Sequence, residues 1–150
     1  MINIKNRQKK YKINISELKK NAELILEKLG YKGFDLGILI TTNATIKKYN
    51  KEYRHKDKAT DVISFPFHYN LKAGKRIKPK SEEEENLGDI IISPEFIDND
   101  AKNAGISFKS RLNHILVHGI CHLLGYDHYT EKSDKLMKAQ EEKLLKLIFD

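Results

Sequence analysis

The sequence predicts a single α/β domain, of the α+β kind, in which helices pack around a mixed sheet of about four strands. Short apolar runs alternate along the chain with longer amphipathic segments, a pattern typical of strands and helices packed in layers. The length of 150 residues suits one domain with one hydrophobic core. Because no internal repeat is visible, we assign residues 1–150 to one domain.

Four regions of the chain are predicted to form the sheet. The N-terminal region contributes INI near residue 2 and YKINI near residue 11, interpreted as the two halves of one strand region. The apolar run FDLGILITT at residues 34–42 is a strong strand candidate. DVISFPF predicts a strand that ends at Pro66, and LGDIIIS at residues 87–93 is apolar enough for a strand inside the sheet.

Five helices are predicted from residues that favour helix starts and ends. Serine, threonine and asparagine cap a first turn, proline suits the first helical position, and glycine accepts the backbone conformation of a helix exit. The last helix is expected to pack through Leu136, Ala139, Leu144 and Leu147. The predicted helices run from Ser16 to about Leu29, Asn43 to about Tyr53, Ser93 to about Ala104, Ser107 to Gly125, and onward from Thr130.

Residues 68–86 are predicted to be a loop, basic in the first half and acidic in the second, as in solvated and mobile chain. Two interpretations stay open: its basic side chains contact RNA backbone, or the segment is only a flexible hairpin tip. The acidic run at residues 82–85 would repel phosphate, so the whole loop is not an RNA platform. The basic residues are Lys72, Lys75, Arg76, Lys78 and Lys80.

Composition indicates the class of partner and the compartment. The formal net charge of +7 favours polyanions, above all nucleic acid. A single cysteine excludes an internal disulfide framework, and no stretch approaches the ~20 apolar residues that cross a bilayer. The first residues carry charge and no continuous apolar stretch, unlike a signal peptide. We therefore expect a cytoplasmic protein with no membrane partner.

The string HGICHLLGYDH, residues 118–128, is the most informative part of the chain. His118 and His122 are four residues apart, so a helix turns ~400° and rises ~6 Å between them, and both imidazoles reach one metal ion. Gly125 then ends the helix, which lets His128 return to the same ion. Three neutral nitrogen ligands and a fourth position open to water are typical of a catalytic zinc site. We predict one Zn²⁺ per chain at the end of a central helix.

Two neighbours of this motif have alternative explanations. His114 lies ~12 Å from His122 along a helix axis, too far to share one ion, but it could support a ligand or contact substrate. Cys121 is three residues after His118, and a thiolate is a good zinc ligand. A free cysteine also packs as a small apolar group, which is the better interpretation when three histidines are already present.

The histidine spacing also matches that of metzincin proteases, H-E-x-x-H-x-x-G-x-x-H. In that motif the glutamate is the general base that activates the zinc-bound water. Gly119 occupies the glutamate position in this chain and cannot take a proton. The metal geometry is protease-like, but the base that peptide hydrolysis needs is missing from the motif.

With these residues in view, HGICHLLGYDH resembles the signature of the YbeY family, bacterial rRNA maturation factors described as single-strand-specific metallo-endoribonucleases. NKEYRHKDKATDVISFPF at residues 50–67 and LGDIIIS at residues 87–93 resemble two further family blocks in the right order. The resemblance covers about residues 34–147. Cys121 and Ala59 depart from the family pattern, where leucine and proline are common, but neither is an expected ligand.

The resemblance implies a zinc-dependent endoribonuclease that acts in 16S rRNA 3′-end maturation and ribosome quality control, with single-stranded RNA and ribosomal particles as partners. It also implies a catalytic role for Arg54, which matches an arginine of the family's nuclease site. A guanidinium would hold the scissile phosphate and offset transition-state charge. The alternative is an ordinary surface ion pair, for instance with Asp57. No side chain stands out as general base, and the oligomeric state is not predicted.

Two other functions stay open at this point. The chain could be a non-catalytic ribosome-assembly or RNA-binding factor whose metal only stabilises the fold. It could also be a zinc hydrolase, metalloprotease-like, with a different substrate and a base supplied from elsewhere, for instance from residues 82–85.

Overall fold

The sheet has four strands, as predicted, in the order β1-β2-β4-β3 in a computed structural model that describes residues 1–148. β1, β2 and β4 are parallel, and β3 pairs antiparallel with β4 at one edge, so the sheet is mixed. The bounds are Ile2–Asn6 for β1, Asp35–Ile40 for β2, Val62–Pro66 for β3 and Asn86–Ile92 for β4.

Five helices accompany the sheet, in agreement with the sequence. Their bounds are Ile15–Leu29 for α1, Asn43–Arg54 for α2, Pro94–Ala104 for α3, Phe108–Leu123 for α4 and Glu131–Ile148 for α5. None of the helices within residues 1–148 is both long and apolar enough to cross a lipid bilayer.

α4 is the central helix, and it is buried along most of its length. It packs against β3 and β4 of the sheet and also against α3 and α5. Gly119 makes the close approach to the sheet possible, because a Cβ there would lie 3.2 Å from Val62 and 3.3 Å from Ile90. The Ser64 hydroxyl on β3 donates a hydrogen bond to the Gly119 carbonyl at 2.9 Å. The residue that replaces a protease's glutamate therefore has a packing role.

The prediction of a strand at YKINI is wrong. Residues 7–14 are irregular, and the Gln8 side chain satisfies the backbone of Tyr11: its amide oxygen accepts from the Tyr11 N–H, and its amide nitrogen donates to the Tyr11 carbonyl, both at 2.8 Å. These backbone groups consequently need no strand partner. The Tyr11 ring instead stacks on Phe108, with ring centroids 5.7 Å apart.

Several helix caps differ by a residue or two from the prediction. Asn14 caps α1 in place of Ser16, and Thr42 caps α2 in place of Asn43. Ser93 lies at the cap position of α3, but its hydroxyl donates to the Asn43 amide oxygen at 2.7 Å and makes no cap hydrogen bond. Ser107 and Thr130 cap α4 and α5 as predicted.

The buried face of α5 is rotated from the predicted one. Leu144 is buried as expected, but Leu136, Ala139 and Leu147 are exposed. The face that packs on the core consists of Met137, Glu141, Leu144 and Ile148. The charged residue Glu141 on this face interrupts the apolar periodicity from which a buried helix face is predicted.

In the segment 68–86 only the 3₁₀ turn at Glu82–Glu84 and Asn86, the first residue of β4, have regular structure, but the segment is anchored to the domain. The Arg76 guanidinium donates to the Leu29 and Gly30 carbonyls at 2.9 and 3.0 Å and lies 4.6 Å from the centre of the Tyr31 ring. Ile77 is buried. The expectation of a free, mobile loop is therefore wrong at Arg76, whose side chain ties the segment to the end of α1.

Candidate metal centre

The three histidines of the motif converge at the C-terminal end of α4. One ring nitrogen from each of His118, His122 and His128 lies within 4.8 Å of the others. The Nε2 atoms of His118 and His122 are 3.0 Å apart. These distances suit three nitrogens around one ion, since a zinc–nitrogen bond is ~2.0–2.1 Å long.

The chain reverses after α4 because a glycine follows the helix. Gly125 has a φ of 88°, and a Cβ there would collide with the Leu71 carbonyl of the 68–86 segment. Only glycine fits both the positive φ and this close approach. The Tyr126 N–H bonds back to the Cys121 carbonyl at 3.1 Å, and the following residues carry His128 to the cluster.

Hydrogen bonds fix the two helical histidines in the tautomer that a metal requires. The Nδ1 of His118 lies 2.6 Å from the Glu141 carboxylate, and the Nδ1 of His122 lies 2.9 Å from the Tyr126 carbonyl. Both partners are acceptors, so each Nδ1 carries the proton and donates it. The Nε2 lone pairs are thereby left free to face each other and a shared ion.

Glu141 is held by a further chain of contacts. Its second oxygen lies 3.5 Å from the Nε2 of His114, and the Nδ1 of His114 lies 3.1 Å from the Arg111 guanidinium. A guanidinium can only donate, so the His114 Nδ1 must accept and its Nε2–H must point to Glu141. Arg111 is itself held at 3.3 Å by the carboxylates of Asp61 and Asp100. His114 thus supports the cluster from outside it.

The charges of these groups match the needs of a cation site. Burial lowers the pKa of His122 to about 4, and repulsion from a charge on His118 is the second cause. Burial acts to raise the pKa of Glu141, but hydrogen bonds from His114 and His118 outweigh it and bring that pKa to about 2. At neutral pH the His122 imidazole is neutral and the Glu141 carboxylate is charged, which is the state that metal binding requires.

Cys121 has no place in the cluster. It is fully buried in the core, and burial raises the pKa of its thiol. The interpretation of Cys121 as a packing residue agrees with this position.

A cleft of about 810 Å³ opens over the histidines. Arg54, the last residue of α2, lies exposed on its wall and so shares one cavity with His118, His122 and His128. Within residues 1–148 no ion pair involves Arg54. The carboxylate of Asp57 instead lies 4.0 Å from Lys47 and 3.9 Å from Lys51. The alternative of an Arg54–Asp57 pair is not what the fold contains.

The family model described as "Endoribonuclease YbeY" matches residues 3–148. The chain belongs to the YbeY family.

Members of the YbeY family from distant organisms align with nearly the whole chain. The human "Endoribonuclease YbeY" is 37% identical over 142 residues, which is 95% of this chain and 84% of that protein. The protein of the same name from Geobacter metallireducens is 38% identical over 149 residues, covering 97% and 93% of the two chains. A solution structure of a Thermotoga maritima protein matches with a TM-score of 0.67 and 25% identity, covering 99% of this chain and 89% of that one.

The YbeY resemblance inferred from the motifs is therefore confirmed, whereas two supporting residues were missed. Glu141 and Arg111 lie outside the string at residues 118–128, and neither was considered a site residue. A signal for Glu141 was present: it is the one acidic residue on an otherwise apolar face that includes Met137 and Leu144. A buried carboxylate at such a position needs a partner, and a histidine cluster supplies one.

Proposed function

We propose that this chain is a zinc-dependent, single-strand-specific endoribonuclease that acts in 16S rRNA 3′-end maturation and ribosome quality control in the cytoplasm. The observation that supports it best is the joint position of the histidine cluster and Arg54 in one open cleft. The YbeY-family assignment and the printed names of the relatives support an endoribonuclease in particular.

His118, His122 and His128 fit a single Zn²⁺ by their chemistry. Two of the three present Nε2 lone pairs fixed by acceptors behind them, and neutral imidazole is a preferred zinc ligand. Three protein ligands leave a further position toward the cleft, as in hydrolytic zinc enzymes. A bound zinc ion would supply a Lewis acid for a phosphoryl oxygen, and it would lower the pKa of water.

The side chains around the cluster have separate tasks in this proposal. Arg54 would hold the scissile phosphate through two parallel hydrogen bonds and offset the charge that develops on it. Glu141 keeps the proton on the Nδ1 of His118 and so keeps that ring oriented. Asp61, also on the cleft wall, is engaged by Arg111 and by the Val62 N–H at 2.7 Å.

A peptide-hydrolysing alternative lacks the glutamate base of the metzincin motif, and the carboxylates on the cleft wall are instead Asp61, which Arg111 holds, and Asp127, which accepts from the Tyr129 N–H. No glutamate lines the cleft within residues 1–148, and Gly119 packs against the sheet. The acidic run at residues 82–85, which could have supplied a base, is likewise absent from the described cleft wall. The net charge of +7 also favours a nucleic acid substrate over a protein one.

One cleavage experiment separates the candidate functions. Zinc-loaded protein is incubated with end-labelled single-stranded RNA, the matching RNA duplex, single-stranded DNA and casein, beside a His118→Ala control. We expect cleavage of the single-stranded RNA, little of the duplex and none of casein, with no activity in the control. Binding of RNA without cleavage would favour the assembly-factor alternative, and cleavage of casein would favour the protease.

The ends of the RNA products identify the nucleophile. Attack by the RNA 2′-hydroxyl leaves a cyclic phosphate and spares DNA. Attack by water or hydroxide leaves simple phosphate and hydroxyl ends, and DNA could then be cut as well. Processing of a precursor 16S rRNA 3′ end in isolated ribosomal particles would test the proposed substrate directly.

A further inference from the structure

Every exposed tyrosine of the chain lies on the wall of the histidine cleft. Of the seven tyrosines, Tyr53, Tyr69 and Tyr129 are 56%, 79% and 84% exposed, and all three line that cleft. The other four are buried or half-buried. A single exposed aromatic ring needs no explanation, but three rings gathered around one opening indicate a binding surface.

The three rings come from separate parts of the fold. Tyr53 lies in the last turn of α2, Tyr69 in the 68–86 segment, and Tyr129 beside His128 with ring centroids 5.8 Å apart. The Tyr53 ring is held in place, since it stacks on Tyr49 at 6.1 Å and meets the edge of Phe65 at 5.1 Å. The three rings therefore reach the wall of one cleft from three separate segments of the chain.

We propose that Tyr53, Tyr69 and Tyr129 are stacking sites for unpaired nucleobases of a single RNA strand whose phosphodiester lies at the histidine cluster. This inference rests on the proposed function and extends it to the way the strand is held. Stacking on an aromatic ring needs only the face of a base, so these sites would accept any sequence. The rings would hold bases while Arg54 holds phosphate.

The proposal gives a physical reason for selecting single strands. In a duplex each base is already stacked between its neighbours and paired, so its face is closed to a protein ring. An unpaired strand can turn successive bases outward onto the tyrosines. The rings therefore favour unpaired RNA without reading its sequence.

Tyrosine fluorescence offers a direct test, because the chain has no tryptophan. Zinc-loaded protein is titrated with an eight-nucleotide 2′-O-methyl oligoadenylate and with an abasic oligomer of the same length and charge, after checking that neither is cut. The variants are Tyr53→Ala, Tyr69→Ala, Tyr129→Ala and the three matching Phe substitutions. Leu136→Ala, an exposed apolar residue outside the cleft, is the control.

We expect oligoadenylate, and not the abasic oligomer, to quench the tyrosine emission. By fluorescence anisotropy of an end-labelled oligoadenylate, a readout that does not depend on the substituted tyrosines, each Ala variant should bind roughly five- to a hundredfold more weakly, the range found when a stacking ring is removed. The Phe variants and Leu136→Ala should bind like the parent protein. Zinc content and the salt dependence of binding should be unchanged, because the metal and phosphate contacts remain.

Three results would overturn the stacking proposal: unchanged binding in a triple Ala variant, equal losses in the Phe and Ala variants, or equal losses for the abasic oligomer. The last two would mean that the tyrosines act through hydroxyl groups or through the fold. RNA cleavage is measured separately on the same proteins. Binding that depends on the rings, without any cleavage, would refute the nuclease function and leave the stacking proposal intact. Binding and cleavage that are both unaffected by the loss of all three rings would refute the stacking proposal and leave the nuclease function intact.

Discussion

The histidine cleft has a floor, formed by His118, His122 and His128, and a rim, which carries Arg54 and the three exposed tyrosines. The two are built in opposite ways. On the floor, His118 and His122 project from the central helix α4. The Nδ1 of His118 is fixed by an acceptor at 2.6 Å, and the Nδ1 of His122 by an acceptor at 2.9 Å. On the rim, Arg54 and Tyr69 are exposed, and the hydrogen bonds and ion pairs found within residues 1–148 involve neither side chain. A metal ion needs ligands that are oriented beforehand, whereas a flexible strand can order exposed side chains when it binds.

The largest expected effect comes from removing a floor ligand. His118→Ala and His122→Ala should each reduce zinc from about one ion per chain to nearly none and abolish RNA cleavage, because two ligands hold zinc poorly. Elemental analysis of protein purified without chelators measures the first effect, and the cleavage assay measures the second.

The matched control for these variants is His55→Asn. His55 is exposed and has a φ of 57°, which asparagine tolerates better than most residues. It should keep its zinc and its activity. Full zinc content in His122→Ala would show that the cluster is not the metal site and would remove the contrast between floor and rim.

On the rim, Arg54→Ala should separate catalysis from metal binding. Zinc content and thermal stability should stay at the level of the parent protein, since the residue is exposed and outside the cluster. RNA cleavage should fall by ~10²-fold or more, the scale of losing one charge-stabilising donor. Single-turnover rates measure this effect.

Arg54→Lys sharpens the same point. A lysine keeps the charge but cannot make two parallel hydrogen bonds, so it should recover only part of the lost rate. Full cleavage by Arg54→Ala would mean that the arginine has no catalytic role, even though it shares the cleft with the histidines.

Much of the floor could be predicted from sequence, because its determinants are local. The i, i+4 spacing and the following glycine place His118, His122 and His128 within eleven residues of chain. Glu141 was not predicted because its partner, His118, lies 23 residues away on another helix. Pairing across helices depends on packing angles that no local pattern contains.

The strands and helix ends show the same limit. Apolar runs predicted β2, β3 and β4 correctly, because burial inside a sheet dictates their composition. YKINI has a similar apolar alternation, but the side chain of Gln8 competes for its backbone groups. The rim tyrosines were missed because exposure is decided by the whole fold and leaves no periodic signal in the sequence.

A smaller effect on zinc binding is expected from Glu141, which contacts the floor ligand His118. Glu141→Gln keeps the shape of the side chain, but its amide group would face the N–H of His114 or of His118, so one hydrogen bond is lost. Zinc affinity should fall by roughly 10–100-fold, as for other groups that orient a metal ligand. Competition with a chelator measures the change.

Glu142→Gln is the control for this variant. Glu142 is the next residue on α5 and is exposed, so the substitution removes the same charge without touching a histidine. Its zinc affinity should equal that of the parent protein. Equal affinities in Glu141→Gln and Glu142→Gln would show that His118 needs no support from α5.

The smallest effect is expected from the basic half of the 68–86 segment. Changing Lys72, Lys75, Lys78 and Lys80 together to Ala should weaken RNA binding and lower its salt dependence, since each phosphate contact of a single strand contributes ~0.7 to the slope. Zinc content should not change. The neighbouring glutamates at residues 82–85 oppose phosphate, so the loss should stay modest.

Two controls decide whether the position of these lysines matters. Changing Lys9, Lys12, Lys19 and Lys20 to Ala removes the same charge from exposed positions outside the 68–86 segment. Arg76→Ala should lower the melting temperature instead, because its guanidinium binds the Leu29 and Gly30 carbonyls. If the two lysine quadruples weaken RNA binding equally, the segment contributes only net charge, and the rim that recognises RNA is limited to Arg54 and the tyrosines.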